Sequence, residues 1–109
     1  MAYNLSLAER IRSVLENRAG LSERQAFGGL SFLIHGNMAV GVIGDELVVR
    51  LGSEAAEAAL ADPHVRPFDF SGRPMKGWIF VAPTGLESDA DLAGWVNQGT
   101  AFASGLSPK

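Results

Sequence analysis

Two short turn signals constrain this chain more than any other feature. Gly36-Asn37 and Gly44-Asp45 each separate runs rich in β-branched and apolar residues, and glycine followed by asparagine or aspartate marks a two-residue hairpin loop. The stretch from Glu23 to Leu51 therefore reads as an antiparallel meander. With two-residue loops, His35 faces Met38 and Ile43 faces Glu46, which sets the register of three strands. One face then carries Leu33, Met38, Val40, Val42, Leu47, Val49 and Leu51, the better core candidate. The other carries Leu30, Phe32, Ile34, Ala39, Gly41, Ile43, Glu46, Val48 and Arg50, apolar at its centre and tolerant of charge at one end. So short a chain has few elements left to cover a second apolar face, so Phe32, Ile34, Ile43 and Val48 form a candidate surface for self-association or a protein partner.

Helical patterns frame the meander. Ser6-Leu7-Ala8-Glu9 has the form of a capping box, in which the serine hydroxyl and the glutamate satisfy amides of the first turn. Leu7, Ile11, Val14 and Leu15 share one stripe, and Gly20 supplies a left-handed stop, so a helix is expected over 6–19. Ser53 can cap a short helix through Ala61, ended by Asp62-Pro63. Residues 62–77 hold Pro63, Pro67, Pro74, Gly72 and Gly77, and read as a long irregular or edge segment with an extended piece near Phe68–Phe70. Trp78 to Val81 forms a final strand. Ser88 then opens a last helix, with Glu87, Asp89 and Asp91 around its positive end and Leu92, Val96, Gly99, Ala103 and Leu106 at near-helical spacing. Glycines at 94, 99 and 105 weaken such a helix, and close packing against the sheet is the expected reason for Gly99. The order α-β-β-β-β-α-β-α describes an α+β fold: one domain over residues 1–109, with an antiparallel meander and flanking helices.

Composition narrows the function classes. The chain has 109 residues, 47% of them hydrophobic, enough to bury roughly 65% of the unfolded surface in one core. A net charge of −3 argues against a general phosphate-binding surface. Without cysteine there are no disulfides, thiolate zinc sites, iron–sulfur clusters or thiol nucleophiles. The start at Met1-Ala2-Tyr3-Asn4 has no signal-peptide pattern, and every apolar run stops short of the ~20 residues that span a bilayer. A cytoplasmic protein with no membrane contact is expected.

No residue set stands out as catalytic. His35 and His64 are the two histidines and share no ligand spacing, so neither a metal nor another cofactor is expected. The serines at 31, 53, 71 and 88 lack a Gly-x-Ser-x-Gly elbow, and Asp45, Asp62 and Asp69 sit at turns or breaks where aspartate is locally favoured. Phe27-Gly28-Gly29-Leu30 leads into a strand rather than a helix, and so reads as a bend or bulge joining two strands rather than a phosphate loop. Arg66, Arg73 and Lys76 interleave with Phe68, Phe70 and Trp78 as on a nucleic-acid platform, but Asp62 and Asp69 reduce the segment to a net +1. Burial of the rings with the cations in solvent is the favoured reading, and direct nucleic-acid binding is not expected. The alternative function is a small ligand-binding or catalytic module in which Arg66, Arg73 and Lys76 contact an anionic group while Trp78 packs on its apolar part.

Phe27-Gly28-Gly29-Leu30-Ser31-Phe32, Asn37-Met38-Ala39, Glu46-Leu47-Val48-Val49-Arg50 and Gly72-Arg73-Pro74-Met75-Lys76-Gly77-Trp78, in that order, resemble the N-terminal domain of the TfoX/Sxy family over nearly the whole chain. The resemblance implies a small α+β domain similar to secretion-chaperone-like folds. Full-length relatives are regulators of bacterial competence genes that act with the cAMP receptor protein at promoters and carry a second, C-terminal helical domain. It supplies no catalytic residues. The expectation is therefore a stand-alone, non-enzymatic regulatory or adaptor domain that binds a protein, such as a transcription activator or RNA polymerase, and can form a homodimer.

Overall fold

The computed structural model describes residues 3–26, 28–70 and 73–107, the side chains of Ala26, Phe70, Arg73 and Pro74 excepted. Phe27, Ser71 and Gly72 of the motifs above, and the side chain of Arg73, lie outside that description.

Helix α1 (Leu5–Leu15) leads into strands β1 (Leu21–Ala26), β2 (Gly29–Ile34), β3 (Asn37–Ile43) and β4 (Glu46–Arg50). Helix α2 (Ser53–Ala59) precedes β5 (Val65–Phe70) and β6 (Arg73–Val81), and a 3₁₀ turn (Pro83–Gly85) precedes helix α3 (Asp89–Ser104). The six strands form one antiparallel sheet in the order β1-β2-β3-β4-β6-β5. The α+β expectation holds, with one strand added. Residues 65–70, expected as an irregular or edge segment, form a full edge strand. Pro67 fits there because an edge strand has one row of amides with no partner to lose. The register shifts between Pro67 and Asp69, and β6 begins at Arg73 rather than Trp78.

Helix α1 starts earlier and stops sooner than the capping-box reading. Asn4, not Ser6, is its N-cap, the Asn4 Oδ1 accepting from the Leu7 amide at 3.1 Å. Tertiary contacts choose this cap: the Asn4 amide donates to the Gly44 carbonyl at 2.8 Å and its Nδ2 to Asp45 Oδ1 at 3.0 Å. The helix ends at Leu15 because Asn17 adopts a left-handed φ of 68°, a conformation asparagine tolerates. In α2, Gly52 is the N-cap and Ser53 the first helical residue. Ser88 does cap α3, accepting from the Asp91 amide at 3.0 Å.

The second hairpin has the expected register, with Ile43 opposite Glu46. The first is slipped by one residue. Its loop is His35-Gly36, with φ of 49° and 85°, and Ile34 pairs with Asn37. Asn37 belongs to the strand because its buried Nδ2 donates to the Ser107 carbonyl at 2.9 Å, while the His35 amide donates to the Gly20 carbonyl at 2.9 Å. Moving the loop by one residue shifts Met38 from His35 to Leu33, two positions along β2, and so keeps the facing; only a one-residue change of register exchanges the faces of a strand. That change comes at the bulge between Phe32 and Leu33, where Ala39 is the extra residue of β3: Phe32 pairs with Val40 and Leu30 with Val42, so Leu30 and Phe32 point to the core with Val40, Val42, Leu47 and Val49, while Met38 passes to the opposite face.

The core lies between the sheet and all three helices: Leu7, Ile11 and Leu15 of α1, Ala56 of α2, and Leu92 and Val96 of α3 pack on it. Gly99 lies flush against β3, as expected. No helix among the described residues is long and apolar enough to cross a membrane.

Candidate interaction site

Alternation along β6 sends Ile79 and Val81 into the main core and Trp78 and Phe80 to the opposite face. There, Val48, Phe68 and Phe80 form a separate buried cluster, with Met38, Ile43, Met75 and Trp78 partly buried around it. No described helix residue belongs to this cluster. The Phe68 and Phe80 ring centroids lie 4.8 Å apart and tilted, and Trp78 lies 6.1 Å from Phe68. Arg66 lies over Phe80 at 4.2 Å and hydrogen-bonds through Nε and Nη2 to the Glu46 carboxylate.

The four residues expected to form one association surface are divided between the faces. Ile43 and Val48 lie on the helix-free face. Phe32 is fully buried in the main core, and Ile34 packs with Ala39 and Ala103 beneath α3. The bulge at Ala39 of β3 is the reason.

Of the residues expected to contact an anion, Lys76 and Trp78 come together. They line a groove of about 340 Å³ between α2 and the β5–β6 hairpin, with Leu60, Pro67, Met75 and Ile79 among its apolar walls. Arg66 is turned to Glu46 instead, and the side chain of Arg73 is outside the described residues. A second groove of about 250 Å³ shares Ser53, Lys76, Gly77 and Trp78 with the first, and adds Arg50, Gly52 and Phe102. The Arg50 guanidinium carbon lies 5.1 Å from the Trp78 ring centroid and 5.5 Å from that of Phe102. Sequence reasoning placed Arg50 at the charge-tolerant end of its face but not in a site, and missed Phe102. The available signal was a cation in phase with Val48 at the end of an otherwise apolar strand.

The two histidines lie outside both grooves. His64 Nδ1 lies 2.9 Å from Thr84 Oγ1, and His35 occupies the hairpin loop. Among the described residues, no group of three or more histidines and carboxylates could hold a metal ion. Arg12 joins α1 to β1, its Nε and Nη2 each donating to Glu23 at 2.8 Å. That pair holds the Glu23 carboxyl below the usual carboxylate range, against a smaller opposing effect of burial.

The family model described as the TfoX N-terminal domain matches residues 13–103. The chain belongs to the TfoX N-terminal domain family. No curated protein matches it. The matched region runs from within α1 to near the end of α3, so the helix-free face and both grooves are parts of the TfoX N-terminal domain itself.

Proposed function

We propose that this TfoX N-terminal domain is a non-enzymatic regulatory or adaptor domain that acts by binding another protein. Its partner is a component of the transcription machinery, an activator or RNA polymerase acting at competence-like genes in the cytoplasm. The observation that supports this reading is the helix-free sheet face, where Met38, Ile43, Met75 and Trp78 stand half-buried around Val48, Phe68 and Phe80. Methionine and aromatic side chains enrich the cores of protein interfaces, and the Arg66–Glu46 pair supplies a charged border. The same face can pair two copies of the chain.

The test uses purified RNA polymerase holoenzyme and the cAMP receptor protein of the same host, immobilised separately, with light scattering on the free domain. Ile43→Glu places a charge at a half-buried position of the face, outside the main core. Wild-type binding that Ile43→Glu weakens by about tenfold or more supports the reading. Absence of binding to both proteins, together with a monomer at high micromolar concentration, overturns it.

A further inference from the structure

We infer that the two joined grooves beside Trp78 bind a small amphipathic monocarboxylate, its head held by Arg50 and Lys76 and its apolar body lying along α2. The site shares Met75 and Trp78 with the helix-free face but does not rest on the protein-binding reading above.

Arg10, Arg12, Arg18 and Arg66 each hydrogen-bond to another protein group. The half-buried Arg50 makes no hydrogen bond or ion pair within the described structure, yet its guanidinium is held beside two aromatic rings. A ring contact does not consume a guanidinium's hydrogen-bonding capacity in the way a carboxylate partner does, and its planar fork of donors matches a carboxylate. The groove around it is lined by Gly52, Ser53, Lys76, Gly77, Trp78 and Phe102, with no acidic side chain. The Gly77 carbonyl in its wall is already engaged, accepting the Leu51 and Gly52 amides at 2.8 and 3.1 Å. A chain with net charge −3 thus presents two cations in one concavity.

The adjoining groove specifies the rest of the ligand. Its walls include Leu60, one of two large hydrophobic residues exposed among those described, with Pro67 and Met75. Its volume of about 340 Å³ lies at the small end of the range for small-molecule sites. Glu57 is the only carboxylate lining it and repels a second negative charge there. The site therefore favours one anionic head on an uncharged body over a dicarboxylate of the same length.

Calorimetric titration of the full chain with decanoate, below its micelle concentration, tests the site. Saturable binding at one per chain is expected, with decan-1-ol and decanedioate each about tenfold weaker or worse, as for a lost charge-assisted contact. Arg50→Gln should weaken decanoate by at least about tenfold, with folding checked by near-ultraviolet circular dichroism. If Arg50→Gln fails to fold, Leu60→Glu, at an exposed position, serves in its place and should weaken decanoate similarly. Absence of saturable decanoate binding, equal binding of decan-1-ol, or unchanged affinity in a folded Arg50→Gln or Leu60→Glu protein overturns the inference.

Discussion

Gly99 of α3 lies directly against Ala39 of β3: a Cβ added at Gly99 would stand 2.6 Å from the Ala39 carbonyl oxygen and 2.8 Å from Val40 Cγ1. Backbone cannot yield as a side chain can, so the absence of a Cβ lets helix and sheet meet at this distance. Gly94, on the same helix, has open space around its missing Cβ. The two glycines therefore respond oppositely to one substitution. Gly99→Ala should lose about 1–3 kcal/mol to overpacking, while Gly94→Ala should gain about 0.5–1 kcal/mol from helix propensity. Urea denaturation of both variants checks the pair, and equal effects would contradict the close contact.

Phe32 belongs to the folding core rather than to a surface. Phe32→Ala should cost about 3–5 kcal/mol, and Phe32→Glu should fail to fold. Ile43→Glu, on the other face and half-buried, should retain a cooperative melt near that of the wild type. Thermal unfolding of the three variants separates core position from surface position.

Asn4 caps α1 and Ser6 does not. Asn4→Ala should lose about 1 kcal/mol, by removing the acceptor for the Leu7 amide. The bond to Asp45 is lost with it, which ties α1 less firmly to the second hairpin. Ser6→Ala should be nearly neutral, since its hydroxyl is exposed inside the first turn. Comparative denaturant midpoints decide which residue is the cap.

The Arg12–Glu23 pair makes stability depend on acid. Arg12 holds the folded Glu23 carboxyl below its unfolded value of about 4.3, so protonation favours the unfolded chain. The contribution is complete above that unfolded value and disappears as pH falls through the depressed folded one. Both side chains are partly exposed, at 37% and 33%, so solvent screening limits the pair to about 1 kcal/mol or less. Glu23→Gln should lower stability at neutral pH, and the difference from wild type should vanish in strong acid. A difference that persists undiminished there would exclude the ion pair as its source.

Much of this architecture is visible in the chain itself. The stripe of Leu7, Ile11 and Leu15, the Gly44-Asp45 loop with Ile43 opposite Glu46, and the Ser88 cap depend on residues a few positions apart. Periodicity and turn chemistry report such neighbours directly. Strand β5 was less visible because Pro67 argues against a strand interior, and only its place at the edge of the assembled sheet removes the objection.

The first hairpin and the grooves beside Trp78 show where local pattern ends. His35-Gly36 and Gly36-Asn37 are both acceptable two-residue loops, and alternation does not mark the extra residue at Ala39 that changes the register of β3 against β2. The reach of Asn37 to Ser107 favours the first loop and the burial of Phe32 favours the bulge, and both involve partners distant along the chain. Arg50, Trp78 and Phe102 come from β4, β6 and α3 and meet only once the sheet and its helix layer are assembled. Amino-acid pattern alone was enough for the α+β class and most element positions, because those follow from short-range backbone preferences. Which side chains share a face, and which cations gather around a groove, depended on tertiary packing, because a one-residue change in register redirects a whole strand at little local cost.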